Sequence, residues 1–264
     1  MPDTLTTSEA ARMAAVAPST IKRWADDGTL DSTRTAGGHR RILKQALEAY
    51  LSRQLGGDDH QSDQIREWIE ALKSGDRYQV DALFLLARGR LGSWYLVADE
   101  IGAVLKELGE AWTNGKLTIA EEHLASETLA RATSRISESL PLLTPAKPTL
   151  LACAEGEEHS LGLSLAELCV REAGFASLWL GRNTPTQQLV QLVEEDKLGA
   201  IIVSASSWSR QSGKLAAIAK TLEACCRPRS VSLYFGGEGP WPSLPDYGQR
   251  LRSFAELHQK LTQR

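Results

Sequence analysis

The sequence predicts a multidomain α and α/β chain: an N-terminal winged helix-turn-helix, a four-helix bundle and a C-terminal Rossmann-like doubly wound parallel sheet. Three observations predict it. Two short helical patterns near the N-terminus lead into a glycine-tipped basic hairpin. From about Asp63 to Leu143, apolar residues recur at three- and four-residue spacing. From Thr149 onward, short apolar runs alternate with amphipathic stretches, the grammar of parallel strands joined by helices.

In the head, residues 1–55, Thr7-Ser8-Glu9-Ala10-Ala11-Arg12-Met13-Ala14 joins a capping residue to strong helix formers. Pro18 suits the first turn of a second helix, which Gly28 ends. In that helix Ile21 and Trp24 share one face, leaving Ser19, Thr20, Lys22 and Arg23 exposed. Thr35-Ala36-Gly37-Gly38-His39-Arg40-Arg41 reads as a basic wing, followed by a helix near Lys44–Arg53. A polar second helix beside a basic wing suits double-stranded operator DNA. The helix enters the major groove, and Arg40 and Arg41 meet phosphate on the flank, with His39 in the same wing. A small protein-binding helical module is the alternative. Charge leans the same way: residues 1–54 hold eight Lys/Arg against six Asp/Glu, and the remainder 22 against 27.

Ser8-Glu9-Ala10-Ala11, Pro18-Ser19-Thr20-Ile21-Lys22-Arg23-Trp24 and Gly37-Gly38-His39-Arg40-Arg41 resemble the winged-helix head of MerR-family transcription regulators. That family usually dimerises through a long helix directly after the head. Here Leu55–Ser62 is polar and contains glycine, so residues 56–62 read as a linker. No sustained heptad follows, which assigns self-association to the later domains.

Residues 63–146 read as the bundle. Ile65, Trp68, Ile69 and Leu72 carry helical spacing, as do Leu83, Leu86 and Ala87. Ile101, Val104, Leu105 and Leu108 continue it, followed by Leu124, Ser126, Leu129 and Ala130. Pro141, Pro145 and Pro148 close the segment. Residues 147–264 then read as the sheet domain. Its strands are placed at Leu150–Ala154, Ala176–Leu180, Ala200–Ser204 and Val231–Phe235, with a weak fifth at Arg250–Ser253. Helices fall near Leu161–Ala173, Pro185–Glu195, Gly213–Cys226 and Phe254–Thr262.

Loops after parallel strands meet at the carboxyl edge of the sheet, where such folds bind ligands. The first loop carries Glu157, His159 and Gly162; the carboxylate can hold the imidazole in one tautomer, and the glycine admits a bulky group. The third strand ends in Ser204-Ala205-Ser206-Ser207 and the fourth in Gly236-Gly237-Glu238-Gly239-Pro240. A phosphate-binding nucleotide fold is a rival, but G-x-G-x-x-G is missing after the first strand and so is a P-loop lysine.

These loops resemble the cobalamin-binding domain of corrinoid methyltransferases and mutases. The resemblance implies His159 as lower ligand to cobalt and Glu157 as its hydrogen-bond partner, where the family more often has Asp. Ser204, Gly236 and Gly237 would line a pocket for the nucleotide tail. Ser206, where leucine is common, would make that wall more polar. In the bundle, Trp112 stands before Glu122-His123; an indole can cover a flat ligand, and the other two can bond polar edges. This spacing is similar to the upper-face motif of CarH-type adenosylcobalamin photoreceptors, in which such residues enclose the adenosyl group. Where some members have a histidine that captures cobalt after illumination, this chain has Thr113.

The implied function is a light-responsive transcription repressor with adenosylcobalamin, dimeric or tetrameric in the dark. One alternative is a regulator of the same architecture using methylcobalamin, hydroxocobalamin or no corrin. Another is a corrinoid methyl-carrier module, in which the DNA head has no role. Neither a G-x-S-x-G elbow nor a metal-ligand pair suggests a hydrolase, and the chain is not expected to be an enzyme. No run of eighteen apolar residues appears, so no membrane partner is expected. With no signal peptide pattern, and with Cys153, Cys169, Cys225 and Cys226 lacking C-x-x-C spacing, the expected location is cytoplasmic.

Overall fold

The computed structural model describes residues 4–263 except 15, 27, 36, 39, 49–57, 208, 210, 211 and 244, with backbone only at 58–62 and 212. Its contacts divide it into two compact units, Met1–Glu67 and Trp68–Arg264.

The first unit begins with β1 (Thr4–Thr6), α1 (Thr7–Met13) and α2 (Pro18–Asp26). β2 (Ser32–Arg34), β3 (Arg40–Leu43) and a helical stretch α3 (residues 44–48) follow. The strands form an antiparallel sheet in the order β1-β3-β2. Thr6, still extended, caps α1 through a reciprocal capping box with Glu9. Ala10, Ala11, Ile21, Leu30, Ile42 and Leu47 form the core, with Trp24 packed against it. His39, the end of the expected third helix and Leu55–Gly57 lie outside the described residues. α4 (Asp58–Ser74) begins inside the segment read as a linker.

The second unit opens with the bundle: the later part of α4, α5 (Arg77–Leu91), α6 (Trp94–Thr113) and α7 (Ile119–Ser139). Asp76 caps α5 and left-handed Gly92 closes it, while Thr118 and Glu121 form a capping box on α7. Trp68 meets Phe84 edge-on at 5.0 Å in the core. Leu86, expected inward, is exposed; Val80, Leu83, Phe84 and Ala87 fill the buried stripe of α5.

The sheet domain runs β4 (Thr149–Cys153), α8 (Leu161–Glu172), β5 (Ser177–Gly181), α9 (Thr186–Glu194) and β6 (Ala200–Ser204). It continues with α10 (Ser212–Cys226), β7 (Ser232–Gly236), β8 (Gln249–Arg250) and α11 (Phe254–Thr262). The five strands are parallel in the order β5-β4-β6-β7-β8. β4 and β6 are buried along their whole length, which explains their unbroken apolar runs. The fifth strand is real but only two residues long, at the start of the weak candidate. The chain order reverses between β4 and β6, so their loops diverge and leave a crevice at the carboxyl edge. α6 and α7 pack against α8, and α11 against α6, which places the bundle on one side of the sheet.

Candidate functional site

At the switch point Cys153 and Ser204 are register partners, and the Ala154 N–H donates to the Ser204 carbonyl at 2.9 Å. The next loop turns at Gly156, whose φ of 88° suits glycine. Asn183, from the loop after β5, braces that turn: its Oδ1 accepts from the Gly156 N–H at 2.7 Å, and its N–H donates to the Glu157 carbonyl at 2.8 Å.

Glu157 is only 2% exposed, yet its carboxylate is well satisfied. Oε1 accepts from the His159 backbone N–H and lies 2.7 Å from the ring Nδ1. Oε2 accepts from the Ser206 N–H and Oγ, each at 2.7 Å, and from the Ser209 Oγ at 2.5 Å. Burial pushes the Glu157 carboxyl up, but the bonds from His159, Ser209 and Ser206 outweigh it and hold the group far below the usual carboxylate range. An anion here makes Nδ1 the protonated nitrogen, so Nε2 carries the lone pair. The His159 side chain is 60% exposed. Its pKa is raised by the bond to Glu157 against the effect of burial; the charges of Glu157 and Glu122 raise it further, and Arg182 opposes them. Behind the loop, burial pushes the Cys153 thiol up to about 12, leaving it inert.

Ser206, expected on the tail wall, bonds Glu157 through its N–H and hydroxyl, and the hydroxyl lies 3.3 Å from the His159 Nδ1. Ser204 remains beside the glycines and is nearly buried. The two glycines act differently. A Cβ on Gly237 would stand 2.3 Å from the Ala205 carbonyl oxygen, and its φ is +77°, so the β6 and β7 loops can approach only without a side chain there. A Cβ on Gly236 or Gly162 would meet nothing within 4 Å, which marks open space. Sequence reasoning missed Ser209, Asn183 and Arg182. The only available signal was the polar run continuing past Ser207.

The upper motif lies where α6 ends and α7 begins. Trp112, in the last turn of α6, is 40% exposed. Glu122, in the first turn of α7, accepts from the Ser126 Oγ at 2.6 Å and pairs with His123 Nδ1 at 2.9 Å. The charge of Glu122 is one of the smaller influences that raise the His159 pKa. The Thr113 hydroxyl donates to the Gly109 carbonyl at 2.8 Å within its own helix.

In the head, Ser19, Lys22 and Arg23 are exposed on α2, while Thr20 is half-buried. Arg40, expected on phosphate, is bonded within the head. Its guanidinium donates to the Lys22 carbonyl at 3.0 Å and pairs with Asp26, leaving the side chain 14% exposed. The carbonyl-rich end of α2 attracts the cation, so Arg40 ties the wing to that helix. Arg41 is half-buried on the same strand.

The residues at the sheet edge suit a cobalt corrin: an exposed imidazole held through Nδ1 and open volume over Gly236. Among the described residues, no cluster of three or more His, Cys, Asp or Glu could hold a metal by itself, and no helix is long and apolar enough to cross a membrane.

A family described as a helix-turn-helix domain matches residues 4–55, and one described as a B12 binding domain matches residues 64–137. The HTH-type transcriptional repressor CarH of Myxococcus xanthus is 31% identical over 82% of this chain and 72% of its own length. The dimethylamine corrinoid protein of Methanosarcina barkeri is 22% identical over 66% of this chain and 82% of its own. The monomethylamine corrinoid protein of Methanosarcina barkeri shares the fold at a TM-score of 0.55 and 14% identity, over 74% of this chain and 95% of that one. With a repressor of that identity matched over most of both lengths, the chain belongs to the CarH family and is a cobalamin-binding, DNA-binding transcription regulator, not an enzyme.

Proposed function

We propose that this regulator is a light-responsive repressor that uses adenosylcobalamin and binds operator DNA as a dimer or tetramer in the dark. The observation that carries the reading is the buried Glu157 clamp on His159, with Ser206 and Ser209 holding the carboxylate. His159 would ligate cobalt through Nε2, with Glu157 holding the ring and Ser206 and Ser209 holding Glu157. Ser204, Gly236 and Gly237 would hold the nucleotide tail, and Gly162 would admit the corrin beside α8. Trp112, Glu122 and His123 would enclose the upper group. When bound, the cofactor supplies a cobalt–carbon bond that light breaks. Loss of the upper group would remove what Trp112 and Glu122 hold against the sheet domain. The assembly would change only through that difference in affinity between the two arrangements. On the DNA, Ser19, Thr20, Lys22 and Arg23 would face the major groove, with His39 and Arg41 at the wing. Joining several heads raises their effective concentration at the operator.

Light scattering of the full chain with adenosylcobalamin tests this reading. A larger mass in the dark that falls after green light is expected, together with weaker operator binding. An unchanged mass under both conditions rejects the photoswitch. Thr113 favours a second reading, because it offers cobalt no imidazole from above. A regulator set by methylcobalamin or hydroxocobalamin would show operator affinity that follows the corrin and is indifferent to light.

A further inference from the structure

The N-terminus of α6 is capped by the sheet domain. Its own cap residue, Ser93, makes no capping bond, and the Ser93 Oγ is buried without a hydrogen-bond partner. Glu172, the last residue of α8, takes its place: the carboxylate accepts from the Trp94 N–H at 2.6 Å and the Tyr95 N–H at 2.8 Å. The Glu172 side chain is 14% exposed. One turn further along, α6 returns the arrangement. Asp99 accepts from the Phe254 N–H at 2.7 Å and the Ala255 N–H at 3.1 Å, the first two residues of α11. Between the two caps, the Tyr95 ring stacks on His258 at 4.4 Å.

Each helix start presents unsatisfied N–H groups and a partial positive charge, and each receives a carboxylate from the other domain. Such charge-assisted bonds are short and directional, so two of these caps fix both the place and the rotation of α6. The far end of α6 carries Trp112, about 27 Å along the axis from Trp94. A tilt of about 5° at the anchored end would displace that indole by about 2 Å over this length. α8 links the same anchor to the lower site, because it starts just after His159 and ends at Glu172.

We infer that Glu172 and Asp99 are positioning residues that set where the Trp112–Glu122–His123 group stands over His159, and thereby set how the protein distinguishes corrins by their upper substituent. This rests on the proposed role of that group at the upper face. The two caps act at different points on α6 and add directional bonds to its packing on α8 and α11, so removing both is expected to loosen its placement more than removing either.

The test compares full-length wild type with Glu172→Gln, Asp99→Asn and the double variant. Affinities for adenosylcobalamin and hydroxocobalamin are measured in the dark by absorbance titration, and thermal midpoints without cofactor. The double variant is expected to lose about tenfold in preference for the adenosyl form while hydroxocobalamin affinity changes by less than about threefold. Adding Ser93→Asp to Glu172→Gln gives α6 a cap of its own. It should restore the thermal midpoint and leave the preference impaired. A preference that recovers with the midpoint, or one that never changes, overturns the inference. Equal binding of both corrins by wild type overturns the upper-face reading itself, and the inference with it.

Discussion

The protein holds a glutamate beside a histidine at two places, and the two pairs are built on different physics. On the sheet domain, Glu157 is buried, accepts from His159, Ser206 and Ser209, and has no freedom to leave its ring. At the start of α7, half-buried Glu122 pairs with His123, whose side chain is 73% exposed. A buried anion with every lone pair directed is a preorganised support. An exposed pair is screened by water and can rearrange. Glu157 and His159 are therefore held in one arrangement in the free protein, whereas the Glu122 and His123 side chains keep some freedom on a helix whose place is set by packing.

The sharpest way to break the contrast is at His159, the proposed ligand to cobalt. His159→Ala should reduce cobalamin affinity by about 100-fold and abolish the absorption signature of an imidazole on cobalt, by analogy with losses at metal sites. An unchanged visible spectrum after reconstitution would remove His159 from the metal. Next comes Glu157→Gln, which keeps the size but removes the charge. It should cost about 1–3 kcal/mol of stability through mismatched buried donors, read by urea unfolding. The sign with pH follows from the lowered carboxyl. Wild type holds this contribution above the unfolded carboxylate value of about 4.3 and loses it as pH falls through the folded value. The Gln variant should lack that acid slope, and identical slopes would refute the clamp.

Changes on the upper face should be smaller and more selective. Trp112→Ala should lower adenosylcobalamin affinity by about tenfold, leaving hydroxocobalamin affinity and the thermal midpoint nearly unchanged. Equal losses for both corrins would place Trp112 in general packing. Smallest of all, Glu122→Gln should change stability by less than about 0.5 kcal/mol. It should also lower the His159 pKa in cofactor-free protein, because it removes a charge that favours the imidazolium. A ring titration by NMR that shows no shift would separate the two faces.

The legible parts of the molecule were those governed by local pattern. The buried strands β4 and β6 and the helices between them follow the apolar runs within a residue or two. Glu157 and His159 are two positions apart, so their pairing could be read directly. The distant partners of polar residues were not legible. Nothing in Gly37-Gly38-His39-Arg40-Arg41 reveals that Arg40 bonds the end of α2. Nor does the sequence around Ser206 reveal the carboxylate that binds it, 49 positions earlier. Leu86 fits the helical period of α5 as well as its buried neighbours do, and only the available partners turned it outward.

Periodicity, capping residues and glycines at strand ends were sufficient to specify three kinds of domain and the edge where a corrin would sit, because each acts over one or two turns of chain. Folding in three dimensions alone chose the long-range partners: Ser209 for Glu157, Glu172 for the start of α6, and Asp99 for the start of α11. A buried carboxylate or an uncapped helix end must find hydrogen bonds somewhere, but which group supplies them depends on which elements pack side by side.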